Sequence, residues 1–336
     1  MSNNQWKRLS LVLITGLASV ASSAADLVIY SARNEQLIKP LFDAYQKKTG
    51  VEIQFITDKE GPLLARLQAE GANTPADVLL TVDAGNLWQA AQVGVLQPVQ
   101  SETLSKNIPT HLRDPGNQWF GFSVRARAMF FNPDKIQASA LSSYEQLADR
   151  SIAGKLCLRT SKKVYNQSLV AMMIAEHGEE KTEKVVKGWV SNLALPPFPD
   201  DTKLLEAIAE PRSPCAVGIA NTYYFGRLME KQPQLKLNLF WPNQASSGVH
   251  VNISGAGVTK HAKHRQAAIA FLEWLSSEQA QNLFADANME YPVNPNVKAA
   301  EFVTAWGPYK ANLINVAKAG ELQVQATMLM DRAGYK

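Results

Sequence analysis

The stretch NTYYFGR, residues 221–227, sets two phenols side by side directly after the apolar run CAVGIA. A third tyrosine, Tyr165, follows the strand-like LCLRT by a short loop and opens the helical YNQSLVAMMIAEHG. Both settings are carboxyl ends of strands, the edge at which open α/β sheets bind ligands. Tyr165, Tyr223 and Tyr224 are thus aimed at one cleft. A phenol ionises near pH 10, so deprotonating one at pH 7 costs about 4 kcal/mol. Ionising all three costs about 12 kcal/mol, which only a strongly Lewis-acidic ion would offset. Three hard anionic oxygens suit a hard cation, and their charge matches Fe(III) one for one. Zinc would call for His and Cys, and calcium for a carboxylate-rich loop. Neither pattern surrounds these tyrosines. The same rings also read as an aromatic wall for a sugar, polyamine or peptide. From residue types alone both readings stand, and the wall is the commoner use of such a pair.

The remaining chemistry-bearing groups read as structural. His261 and His264 lie three apart in KHAKH, a spacing that serves metals on a helix, but the basic neighbours mark a solvated face. His250 reads as a satisfied strand histidine, and Tyr30 and Tyr291 as core or rim residues. No HExxH, GxSxG or phosphate-loop pattern occurs, so the expectation is a binding protein and not an enzyme. Cys157 and Cys215 are the only two cysteines. In an oxidising compartment such a pair is expected to form a disulfide.

That compartment is read from the amino terminus. Lys7 and Arg8 precede an apolar stretch, Leu9 to Ala21, and then small residues to Ala25. This is the pattern of a secretory signal peptide over residues 1–25, cleaved after Ala24 or Ala25. The apolar stretch is short for a membrane span, and no second candidate follows, so no membrane insertion of the mature chain is expected. No cysteine stands at the cleavage point to carry a lipid. The product is expected to be free in the periplasm, as a monomer. The formal charge of +4 includes Lys7 and Arg8, and no long basic run exists, so nucleic acid is not an expected partner.

The elements that must position the tyrosines come in two series. DLVIYSAR, VEIQFIT and DVLLTV alternate with helical segments, the first having Leu37, Leu41, Ala44 and Tyr45 on one face and ending at Gly50. Unalternating apolar strands between helices imply a parallel sheet covered on both faces. A second α/β series starts near Gly154. Two extended stretches, WFGFSVRARAMFFNP and HVNISGAGVTK, cross between them. The expected fold is α/β: a bilobed periplasmic binding protein of type II, two α/β lobes joined by two hinge strands. The first lobe is assigned residues 26–124 and 252–300, and the second lobe 125–251 and 301–336.

The chain resembles the ferric-iron-binding periplasmic proteins of ABC transporters, the bacterial transferrins, in their tyrosine-rich branch. The likeness covers essentially the whole mature chain. It rests on VIYSAR, EGANTPADVLLTVDAGNLW, VYNQSLVA, ANTYYFGRL, SGAGVTKHAKH and EYPVNP, in that order. The Tyr-Tyr segment and SGAGV are the most specific of these. The resemblance implies Fe(III) ligation by Tyr165, Tyr223 and Tyr224, a closing two-lobe clamp, and delivery to an inner-membrane ABC permease. The sequence departs from the family in the first lobe. One branch has a histidine at the position of Asn34 and a carboxylate at that of Val82; another has His-Tyr at Asn34 and Glu35. A synergistic anion, carbonate or bicarbonate, is the expected substitute. Arg33 is its expected holder, since guanidinium grips planar oxyanions through paired donors. Arg125 is a further candidate. Arg127 is expected to form a lobe-to-lobe salt bridge at the hinge, and Glu35 is a possible extra ligand on closure.

Overall fold

The computed structural model describes residues 26–336; the expected signal peptide lies outside the described residues. Strands β1 (Leu27–Ser31), β2 (Ile53–Thr57) and β3 (Val78–Val82) form a parallel group with β1 in the middle. The helices Glu35–Thr49 and Glu60–Glu70 connect them. β1 and β3 are buried almost throughout, as strands covered on both faces must be. This is the core of the first lobe.

Helix Glu35–Thr49 begins where the Asn34 side chain accepts the Gln36 N–H at 3.1 Å, and it stops at Gly50, whose φ of 76° suits glycine. Its buried stripe is Ile38, Leu41, Phe42 and Tyr45. The sequence reading had placed Leu37 and Ala44 in that stripe, and both are only half-buried. Ile38 and Phe42 fill the core, and Leu37 is turned toward the cleft.

β4 (Phe120–Phe131) is the long strand of the molecule, twelve residues all buried. Its first half pairs with β8 (Val251–Val258), which also pairs with β3. Its second half pairs with β6 (Val217–Asn221) and β7 (Asn238–Phe240). β5 (Leu156–Cys157) lies parallel to β6, and β9 (Tyr291–Pro292) adds to the first half of β4. The path runs β2-β1-β3-β8-β4-β6-β5. β4 and β8 are therefore the two extended crossings, shared between lobes, and the bilobed type II architecture read from the sequence is borne out.

The second lobe is built around helix Val164–His177, nine of whose fourteen residues are buried. Helices Glu179–Ser191 and Gln323–Arg332 pack against it, so it has almost no solvent face. Cys157 and Cys215 are disulfide-bonded with Cα atoms 5.5 Å apart, tying β5 to the chain entering β6 across 58 residues. Closing a loop of that length stabilises the fold by at most about 4 kcal/mol. Among the described residues no helix is long and apolar enough to cross a membrane.

Candidate functional site

A cleft of about 610 Å³ separates the lobes. Its second-lobe wall carries Lys163, Tyr165, Tyr223, Tyr224 and Arg227, and its first-lobe wall carries Arg33, Asn34, Glu35, Val82 and Glu290. All three tyrosines predicted from sequence thus meet in one place. Tyr165 lies in the first turn of helix Val164–His177, and the Tyr223–Tyr224 pair in the first turn of helix Thr222–Lys231, directly after β6. A helix amino terminus carries partial positive charge, which favours an anionic oxygen there. Adjacent helical residues diverge by about 100°. The Tyr223 and Tyr224 rings nonetheless face the same cleft, with centroids 4.5 Å apart and planes tilted by 36°.

Tyr165 and Tyr223 are 8% and 7% exposed, whereas Tyr224 is more open to the cleft. The Tyr165 and Tyr223 phenols are close enough to perturb each other, and Asn221 Nδ2 donates to Tyr223 Oη at 3.2 Å. Burial pushes Tyr165 up to about 12; Tyr224 adds to the rise, while Arg125 and the neighbouring Tyr223 hydroxyl oppose it. Burial, Tyr165 and Tyr224 likewise raise Tyr223 well above the usual phenol value. Three cationic groups surround the Tyr165 ring: Lys163 at 5.0 Å, Arg159 at 5.5 Å and Arg125 at 5.6 Å from its centroid. Arg227 stands 5.0 Å over Tyr223. Tyr165 and Tyr223 therefore hold their protons at neutral pH, in surroundings that favour negative oxygen once a cation displaces them.

The two expected anion-binding arginines differ in what they have left to offer. The Arg33 guanidinium is buried over Phe284 and engaged by Ser254 Oγ, Asn288 Oδ1 and, at 3.4 Å, Glu290. Arg125, 2% exposed, gives one bond from Nη1 to Ser254 Oγ at 3.1 Å, and its Nε and Nη2 have no partner. Buried donors are rarely left unmade, so Arg125 is the arginine with unspent capacity for an oxyanion. Glu35 is exposed on the first-lobe wall, across the cleft from the phenols.

Glu290 was missed in the sequence. Burial alone would raise its pKa, but Arg33, Arg125 and the Ser123 hydroxyl outweigh that and hold it below the usual carboxylate range. It belongs to EYPVNP, yet its partners Ser123 and Arg33 stand 167 and 257 residues away, and no local pattern announces them.

Other expectations need correction. Arg127 makes no lobe-to-lobe bridge: it pairs at 3.0 Å with Asp201 and hydrogen-bonds Asn166 and Asn221, all in the second lobe. The far half of β4 carries it away from the first lobe. His250 is not satisfied, since its Nδ1 has no partner, and burial followed by Arg127 and Arg125 pushes its pKa down to about 3. His264 is only half exposed and rests its Nδ1 3.0 Å from Asp77, while His261 is exposed as expected. Tyr30 is a core residue that donates to Glu70 at 2.9 Å, and Tyr291 packs on Trp306 and Tyr309. Among the described residues no group of three or more His, Cys, Asp or Glu side chains could hold an ion.

Comparison with known proteins bears on the family and the fold. A family model described as bacterial extracellular solute-binding protein matches residues 40–311. Iron uptake protein A1 of Synechocystis is 41% identical over 326 residues, 95% of this chain and 90% of that protein. A Trichodesmium protein solved in complex with iron and citrate ligands has a TM-score of 0.89 at 44% identity, covering 92% of this chain and 99% of that one. Ferric iron-binding protein A of Mannheimia haemolytica, in an open conformation, has a TM-score of 0.86 at 34% identity, with 93% and 99% covered. The resemblance to ferric-iron-binding periplasmic proteins is borne out.

Proposed function

This chain belongs to the bacterial extracellular solute-binding proteins, and we propose that it captures Fe(III) in the periplasm for an inner-membrane ABC permease. The ligands are the phenolates of Tyr165, Tyr223 and Tyr224. The observation that carries the reading is their convergence: three phenols from two helix amino termini meet in one cleft, ringed by cations. Their three negative charges balance the ion, so the loaded site adds no net charge to a buried region. Arg125, with Arg33 beside it, holds a synergistic anion such as carbonate or bicarbonate through its unpartnered donors. The citrate in the Trichodesmium complex supports an oxyanion at such a site. The lobes close over the ion, and Glu35 reaches it from the first lobe. The division into 26–124 with 252–300 and 125–251 with 301–336 belongs to the same proposal, as do the monomeric state and the cleaved signal peptide.

The test is a titration of the iron-free protein with ferric nitrilotriacetate in the presence of bicarbonate, followed in the visible range. A one-to-one coloured complex is expected from phenolate-to-iron charge transfer. A protein that stays colourless with and without bicarbonate overturns the reading and leaves the rings as a wall for an organic solute.

A further inference from the structure

Asp83 stands where three parts of the molecule meet. It follows β3 in the first lobe, is fully buried, and has a φ of 75°, in the left-handed region that a non-glycine residue seldom enters. Its Oδ1 accepts the Gly85 N–H at 2.9 Å, capping the first-lobe helix Ala84–Gln92. The same oxygen accepts Ser168 Oγ at 2.7 Å, from the second-lobe helix that carries Tyr165. Its Oδ2 accepts Asn252 Nδ2 at 3.0 Å, from the crossing strand β8, and its N–H donates to Ile253 O at 2.9 Å. Asn252 closes the ring by accepting the Ala84 N–H at 2.9 Å.

Capping alone needs only the bond to Gly85. The bond to Ser168 does something more, because it crosses from one lobe to the other. Ser168 lies three residues after Tyr165, on the same side of the same helix. Fixing Ser168 therefore fixes how far the Tyr165 phenol stands from the first-lobe wall. The packing nearby leaves little slack: a Cβ added at Gly320 would fall 2.5 Å from the Cβ of Trp88, on the helix that Asp83 caps.

We propose that the Asp83–Ser168 hydrogen bond is a hinge pin, and that Asp83 and Ser168 are positioning residues that set the angle between the lobes and so the placement of Tyr165. The iron readout of this idea rests on the proposed function; the shape readout does not.

The experiment compares the wild type with Ser168→Ala, which removes the crossing bond and leaves the helix cap, and with Asp83→Asn, which keeps the shape of the side chain. Small-angle scattering of the iron-free proteins is the first measurement. Thermal melting and the rate of iron loss to excess EDTA are the second and third. The expected result for Ser168→Ala is a larger radius of gyration than wild type, a melting temperature lowered by no more than a few degrees, and iron loss about tenfold faster. The saturated visible band stays that of the wild type, since all three phenols remain. Scattering that matches the wild type in both variants overturns the proposal. So does faster iron loss from Ser168→Ala with scattering that stays that of the wild type, which would give Ser168 a packing role alone. Should the wild type fail to bind iron, the function proposed above fails, and the scattering by itself still decides the pin.

Discussion

The two walls of the cleft are built to different degrees. The second-lobe wall presents three phenols from the first turns of two helices, and one of those helices is buried on nearly every side. The first-lobe wall presents Asn34, spent on capping a helix, an apolar Val82, and an exposed Glu35. Behind them, Arg33 and Glu290 largely satisfy each other with Ser123, Ser254 and Asn288. On the function proposed above, one wall is pre-organised for the cation and the other supplies closure and charge balance. Ligands held on rigid elements lose little freedom on binding, so the affinity should reside in the second lobe.

The largest break in that asymmetry should come from removing ligands. Replacing Tyr223 and Tyr224 together by Phe keeps the rings and is expected to lower Fe(III) affinity by at least about a thousandfold, with the melting temperature of the iron-free protein little changed. Competition against a ferric chelate would measure this, and near-normal binding by the double variant would place the ligands elsewhere.

Proton competition comes next. Tyr165 in the empty site lies at about 12 and Tyr223 is likewise raised, so both phenols are protonated throughout the physiological range. Binding the ion must then release their protons. Affinity falls as pH falls, by up to about tenfold per unit for each proton displaced. Measured between pH 7 and pH 5, a flat affinity would contradict phenolate ligation.

A middle-sized effect is expected at Arg125. Arg125→Gln should abolish the dependence of iron affinity on bicarbonate and weaken binding by about tenfold to a hundredfold. Arg33→Gln should disturb Glu290 and lower stability while leaving more of the bicarbonate dependence intact, because most of the Arg33 donors are already engaged. Isothermal titration with and without bicarbonate separates the two.

The smallest effect belongs to the first-lobe acid. Glu35→Gln should weaken iron binding only about threefold, in keeping with an exposed group that is brought near on closure. A loss as large as that of a tyrosine variant would mean that the two walls share the ion equally.

Much of this was legible in the chain. Apolar runs broken by Gly-ended helices announced the parallel group β1 to β3, and two long extended stretches announced the crossings β4 and β8. The tyrosines were legible because each opens a helix past the carboxyl end of a strand, and strand ends in such sheets face the cleft. What was not legible depends on long-range pairing. Glu290 is defined by Arg33 and Ser123, Arg127 by Asp201, and Asp83 by Ser168, pairs separated by 74 to 257 residues. A polar residue in a strand gives no sign of whether its partner lies across the hinge or behind it. Arg127 was assigned to the wrong side for that reason. The stripe of the first helix was misplaced because Leu37 is as apolar as Ile38, and composition cannot tell a residue facing the cleft from one facing the core.

The central claim is that the three second-lobe phenols carry the ion as phenolates. Resonance Raman scattering from the iron-loaded protein, excited within its visible band, tests it most directly. The account predicts enhanced tyrosinate ring modes that weaken in each of Tyr165→Phe, Tyr223→Phe and Tyr224→Phe. A loaded protein without those modes, or with modes indifferent to all three substitutions, would contradict it.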